Sequence, residues 1–307
     1  MTAALFSSID AVRSAFEAES YVADRALALT VMLAARLEKP MLLEGEAGVG
    51  KTEVAKVLAR ALDTELIRLQ CYEGLDVHTS LYEWNHARQM LSIRMAEAAH
   101  DDRAAIEKHV FGDEFLLERP LLRAIRHRGP RPAVLLIDEI DRADEEFEAF
   151  LLEVLSDFQV TIPEIGTLTA EQKPLVVVTS NRTRELNDAL KRRCLYLWID
   201  YPTAEREREI VLRKVPGIRE TLADRIAAIM QTLRKIDFAK APGVAETLDW
   251  SRALLGLDVD DVAPAILEDT AGCLLKCRED VDCLRTVGAA AILADDVPAA
   301  PRMERAW

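Results

Sequence analysis

The sequence predicts an α/β chain: a three-layer sandwich around a five-stranded parallel sheet, followed by a smaller all-helical domain. Three observations predict it. Half of the 307 residues are apolar, enough to build a sizeable core. Five short runs rich in Val, Ile and Leu alternate with stretches of helical spacing, and after Pro202 no strand pattern returns. The runs are nearly continuous rather than alternating, as expected of strands covered on both faces.

In order, residues 9–37 carry apolar positions at helical spacing (Val22, Ala26, Leu29, Leu33, Leu37) and stop before Pro40. Met41 to Leu43 reads as a strand that breaks at Gly45, and Thr52 to Leu62 is again helical. Leu66, Ile67 and Leu69 mark a second strand; Val134–Ile137, Leu175–Val178 and Leu195–Ile199 mark three more. Segment 155–173, with Val160-Thr161-Ile162 and then Gly166-Thr167, is either an inserted hairpin or a long loop. Segments 203–215, 219–236, 246–256 and 261–285 read as helices. The expected domains are therefore 1–201, an α/β core; 202–297, a smaller all-helical region; and 298–307, a flexible tail containing Pro298 and Pro301.

Lys and Arg number 39 against 53 Asp and Glu, a net charge of −14. Such a balance excludes a general binder of nucleic acid or of anionic membranes. The five cysteines are too few for a disulfide framework and suit a reducing compartment. With neither a secretory signal nor an apolar run near the ~20 residues of a membrane span, the chain is expected to be cytoplasmic.

Gly45-Glu46-Ala47-Gly48-Val49-Gly50-Lys51-Thr52 fits G-x-x-x-x-G-K-[ST] and lies between a predicted strand and a predicted helix. Its glycines let successive backbone N–H groups curl around phosphate oxygens, and the helix N-terminus adds a positive dipole end. Lys51 is placed for the β- and γ-phosphates, and the Thr52 hydroxyl for Mg²⁺. Val134-Leu135-Leu136-Ile137-Asp138-Glu139 then delivers two carboxylates at a strand's end. Asp138 would hold Mg²⁺ through water, and Glu139 would polarise an attacking water, so hydrolysis is favoured over transfer to a metabolite. Asn181, ending the next strand, can orient water beside the γ-phosphate. An Arg in Leu190-Lys191-Arg192-Arg193-Cys194 can neutralise charge on a neighbouring subunit's nucleotide; of the adjacent pair Arg193 is preferred, Arg192 being the alternative. Arg252, beside Trp250 and Ser251, is on its own an ordinary surface Arg.

Taken in chain order over residues 15–256, these motifs resemble the AAA+ ATPases, and among them the MoxR family. Gly45–Thr52 is similar to Walker A, Val134–Glu139 to Walker B, Asn181 to sensor 1, Arg193 to the arginine finger and Arg252 to sensor 2. Asp138-Glu139-Ile140-Asp141-Arg142-Ala143 departs from the family's stretch at Asp141, and Trp250-Ser251-Arg252 replaces its usual Ser-Pro-Arg. Leu69–Asp76, Leu81–Asn85 and Leu190–Tyr196 resemble the narrower CoxD-like branch, associated with maturation of carbon monoxide dehydrogenase and related molybdenum hydroxylases. The resemblance implies ATP and Mg²⁺ as ligands, a homo-oligomeric ring (a hexamer), a partner with a von Willebrand factor A domain, and a client metalloenzyme. Activation of another client, such as a carbon-fixing enzyme, and a nucleotide-switched scaffold with little turnover are the alternatives; a DNA-directed motor fits the charge poorly.

Three other groups carry less chemistry. On one helix Cys273 and Cys277 share a face while Cys283 sits ~80° away, so buried small hydrophobes are expected rather than a metal site. His78, His86, His100, His109 and His127 lack ligand spacing and are expected on the surface. Tyr72, Tyr82 and Trp84 form either an exposed patch or part of the core.

Overall fold

A computed structural model describes residues 6–99 and 109–297; the 298–307 tail and His100 lie outside the described residues. The chain divides into two compact units. One is built from residues up to Glu19, Ala23–Glu44 and Lys51–Trp198, the other from Ser20–Val22, Gly45–Gly50 and the residues from Ile199 onward.

The first unit opens with α1 (Ile9–Ala18), capped by the Ser8 hydroxyl, and α2 (Arg25–Leu37), capped by Asp24 accepting from Leu27 N at 2.7 Å. The single helical stretch expected over 9–37 is thus two helices: Ser20 takes a left-handed φ of 55° and Asp24 restarts the ladder. The buried face of α2 also differs from expectation. It is Leu27, Ala28, Val31 and Ala34, whereas Leu29 and Leu37 are exposed. Arg25-Ala-Leu-Ala-Leu-Thr-Val-Met-Leu-Ala is apolar almost all round, so periodicity cannot choose the face.

Five strands form one parallel sheet: β1 (Met41–Glu44), β2 (Leu66–Gln70), β5 (Val134–Asp138), β8 (Leu175–Ser180) and β9 (Leu195–Trp198). Two pairs lie outside that sheet: β3 (Tyr82–Trp84) with β4 (Leu116–Glu118), and β6 (Gln159–Ile162) with β7 (Gly166–Thr169), both antiparallel. The second pair decides segment 155–173 as a hairpin. Sheet order is β2-β5-β8-β1-β9. The three central strands are buried at every position, as continuous apolar runs require, while β2 and β9 at the edges alternate. Tyr196 and Trp198 on β9 are consequently exposed.

The crossovers in this unit are α3 (Lys51–Leu62), α4 (Val77–Leu81), α5 (His86–Ala99), α6 (Pro120–Ile125), α7 (Glu145–Asp157) and α8 (Asp188–Arg193). The three aromatics divide: Trp84 is buried edge-on to Phe111 at 5.5 Å, Tyr82 packs partly into the core, and Tyr72 is exposed.

Among its described residues the second unit is helical: α9 (Ala204–Lys214), α10 (Glu220–Leu233), α11 (Val244–Gly256), α12 (Pro264–Asp269), α13 (Ala271–Leu274), α14 (Arg278–Val287) and α15 (Ala289–Leu293). The single helix expected over 261–285 is therefore α12, α13 and most of α14. Thr270 leaves helical geometry at φ −102°, ψ 6°, and Leu275 and Cys277 are extended. Trp250 fills this core with its Nε1 donating to Thr270 Oγ1 at 2.8 Å, so the large ring is buried without an orphaned donor. Glu207 on α9 is fully buried and takes both Nη nitrogens of Arg234 (2.6 and 2.7 Å), the Thr247 hydroxyl (2.6 Å) and Gln231 Nε2 (3.1 Å).

Candidate functional site

In the phosphate-loop motif, Gly48 and Gly50 take φ of 79° and 98°, a conformation that side-chained residues rarely adopt. A Cβ on Gly45 would stand 2.2 Å from the Ile199 carbonyl oxygen, so position 45 admits no side chain without movement. The Gly48 carbonyl accepts from Val244 N at 2.9 Å, and Glu246 Oε2 accepts from Gly243 N at 3.0 Å, closing the start of α11. Lys51 and Thr52 open α3, Lys51 being buried.

Thr52 meets Asp138 across the sheet unit. Its hydroxyl donates to Asp138 Oδ1 at 3.0 Å, and Thr179 on β8 donates to the same oxygen at 2.6 Å. The Thr179 hydroxyl in turn accepts from Glu139 N at 2.9 Å, tying the two strand ends together. Asp138 Oδ2 takes Arg68 Nε at 3.1 Å and Nη2 at 2.6 Å. Glu139 holds a left-handed φ of 57°, a strained state for a non-glycine residue of the kind that clusters at functional sites. Its Oε2 accepts from Arg142 Nε at 2.8 Å and Gln70 Nε2 at 3.2 Å.

The departure at Asp141 has a structural role. Its buried carboxylate accepts from Asn181 N (3.1 Å), Thr183 N (2.9 Å) and Thr183 Oγ1 (2.7 Å), which holds the turn after β8 and with it Asn181. Cys71 N donates to Asp138 O at 2.8 Å; burial, then the charges of Asp138, Asp141 and Glu139, push its thiol up to about 12. That thiol stays protonated at neutral pH.

A model of the AAA domain, dynein-related subfamily, matches residues 40–194, half of the chain. The chain belongs to this AAA family. Membership makes it a P-loop ATPase domain. Among curated relatives it is similar to the denitrification regulatory protein NirQ of Pseudomonas aeruginosa, 26% identical over 235 residues, covering 72% of this chain and 78% of the relative. An uncharacterized protein of Staphylococcus haemolyticus is 25% identical over 236 residues, covering 74% and 80%. Among solved structures, a Cytophaga hutchinsonii protein aligns with TM-score 0.48 at 15% identity, over 95% of this chain and 94% of that one. The Thermotoga maritima RuvB branch migration motor gives 0.43 at 16%, over 91% and 72%.

The other residues singled out in the sequence are placed as follows. Arg193, at the end of α8, is exposed and donates through Nε to Ser156 Oγ at 2.6 Å and through Nη1 to Ala189 O at 3.4 Å. The Arg192 side chain beside it is exposed and makes no hydrogen bond or ion pair among the described residues. Arg252 lies on the face of α11 opposite Trp250 and Ser251 and pairs with Asp249 at 3.0 Å. The cysteines differ from expectation, because Cys273 lies on α13 while Cys277 caps the start of α14 and Cys283 lies within it, and all three are half-buried rather than buried. Cys273 and Cys283 pack against the helical core, while the Cys277 thiol donates to Asp280. His127 is another correction: it is largely buried, with Nε2 against Arg131 O at 3.0 Å. His86 and His109 pair with Gln89 and Glu114, and the His78 side chain lies outside the described set.

Sequence reasoning missed Arg68 and Gln70 as site residues. The available signal was two polar residues at alternate positions of a strand, hence on one face, in a strand otherwise apolar. Among the described residues no helix is long and apolar enough to cross a membrane.

Proposed function

We propose that the protein is a Mg²⁺-dependent ATPase of the MoxR type, with residues 1–201 as its catalytic core and 202–297 as its lid. It works as a homo-oligomeric ring in the cytoplasm and couples hydrolysis to remodelling or maturation of a client protein. The observation that carries the reading is the convergence of Thr52 and Asp138 at 3.0 Å, with the strained Glu139 next in sequence, inside an AAA family domain. The donor set fits a hard cation: the Thr52 hydroxyl as an oxygen ligand and the Asp138 carboxylate acting through water, the remainder being phosphate and water. Thr52 and Asp138 would hold Mg²⁺, which would supply positive charge to the phosphates of ATP.

The loop Gly45–Gly50 wraps the phosphates with its N–H groups, and Lys51 adds a point charge. Glu139 polarises the attacking water and Asn181 orients it. An arginine from a neighbouring subunit, Arg193 or Arg192, stabilises charge building on the γ-phosphoryl, and Arg252 senses the nucleotide from the lid. The phrases shared with the CoxD-like branch support a molybdenum-hydroxylase client and a partner with a von Willebrand factor A domain. Likeness to a protein named for regulating denitrification supports the wider reading, activation of another enzyme.

Lys51→Ala is expected to abolish ATP binding, measured by titration calorimetry with the folded variant checked by circular dichroism. Binding unchanged in this variant would overturn the site. Pull-down from the native host, with and without ATP, separates a molybdenum-hydroxylase client from another enzyme. ATP turnover too slow to detect, with binding intact, would leave the scaffold reading in its place.

A further inference from the structure

We propose that Arg68 is a displaceable counter-ion that occupies the charge position of the divalent cation at Asp138, and that Mg²⁺ with nucleotide binds by expelling it. The inference rests on the assignment of Thr52 and Asp138 as the Mg²⁺ ligands.

β2 pairs with β5 in parallel, with Gln70 opposite Asp138, so the polar face of β2 is delivered to the acidic end of β5. Asp138 then has no unused oxygen. Oδ1 takes the Thr52 and Thr179 hydroxyls, and Oδ2 takes two nitrogens of the Arg68 guanidinium. The second pair of bonds is where positive charge meets the carboxylate.

The two partners are unequal in exposure. The Asp138 side chain is 3% exposed and that of Arg68 is 50% exposed. A carboxylate so enclosed cannot be left without a cation, and Glu139 and Asp141 follow within three residues. Arg68, in contrast, reaches in from solvent and returns there at little desolvation cost. The Gln70 carbonyl, which already accepts from Arg68 Nη2, offers the released guanidinium a resting partner. Arg68 therefore supplies the charge that balances the Asp138 carboxylate and holds it aligned. It also opposes Mg²⁺ arriving alone, because a guanidinium and a divalent ion on one carboxylate repel; with nucleotide, the phosphates add the negative charge that tips the exchange.

The test is a Mg²⁺ titration of the binding of a fluorescent, slowly hydrolysed ATP analogue to wild type, Arg68→Ala and Arg68→Lys, with thermal melts of each protein without nucleotide. Arg68→Ala is expected to lower the half-saturating Mg²⁺ concentration about tenfold, within the usual range of coupling between two ligands. It is also expected to make the melting temperature respond to Mg²⁺ alone. Arg68→Lys, which keeps the charge, should stay near wild type, and it carries the test if the Ala variant does not fold: a Lys variant bound at tenfold lower Mg²⁺ would contradict a charge-based exchange. A lower melting temperature with an unshifted or raised Mg²⁺ midpoint in Arg68→Ala would make Arg68 a structural support and overturn the proposal. Loss of Mg²⁺-dependent binding in wild type would instead overturn the assignment of Thr52 and Asp138.

Discussion

Two buried carboxylates, one in each unit, are built to opposite ends. Glu207 in the helical unit and Asp138 in the sheet unit are both closed to solvent and both paired with an arginine. Glu207 is met by Arg234, whose side chain is only 7% exposed, and by Thr247 and Gln231. Arg234 is itself fixed by donating to Pro242 O at 3.0 Å and by stacking on Tyr201 with 4.6 Å to the ring centroid. Every donor in that cluster comes from a packed helix or its flank, so the pair is locked. At Asp138 the arginine comes from an edge strand and stands half in water. A buried ion pair is thus not one kind of object: exposure of the cation separates a structural clasp from an exchangeable contact.

Arginine loss is the largest expected break in this comparison. Arg193 is of the exchangeable kind, exposed and held only by the Ser156 hydroxyl and the Ala189 carbonyl among the described residues. Arg193→Ala is expected to bind ATP nearly normally and lose about 10³–10⁵ in turnover, with little change in stability. Mixing it with Glu139→Gln should restore activity, since one subunit's Glu139 then meets another's Arg193; a coupled-enzyme assay over mixing ratios reads this. Should Arg192→Ala show the loss and the rescue instead, the finger is Arg192.

The same chemical change made in each region sharpens the contrast. Glu139→Gln keeps shape but loses the charge proposed to polarise water. It should cost about 10²–10⁴ in turnover, with ATP still bound and the urea midpoint unchanged. Glu207→Gln leaves Arg234 buried without its counter-charge and should destabilise by about 3–5 kcal/mol in urea unfolding. Equal effects on turnover and stability from the two substitutions would erase the distinction.

The smallest expected effect is a pH dependence. Burial pushes the thiols of Cys71 and Cys194 from 9.0 up to about 12. Their folded values are raised, so the neutral form is favoured in the fold. The contribution is complete below about pH 9 and is lost as pH rises from there towards about 12. Denaturation midpoints should fall over that window, and Cys71→Ser should flatten part of the slope. An unchanged slope would mean that the thiol ionises in place.

Local pattern was enough for a good part of this molecule. The runs at 41–43, 134–137 and 175–178 announce strands covered on both faces, because an apolar residue at every position leaves no face for water. Gly45–Thr52 is legible because its chemistry is contiguous in the chain, and Asp138-Glu139 because a strand delivers both carboxylates at one end. Where the pattern is uniform or distant, the sequence is silent. The all-round apolar α2 does not reveal that Leu27 faces inward and Leu29 outward. Arg68 meets Asp138 across 70 residues, Asp141 holds Asn181 across 40, and Glu207 meets Arg234 across 27. The first two pairings depend on strand order and register, and the third on how α9 and α10 pack. Periodicity sees only the dozen or so residues around a position, whereas these contacts exist only once the β2-β5-β8 ladder and the helical core have closed.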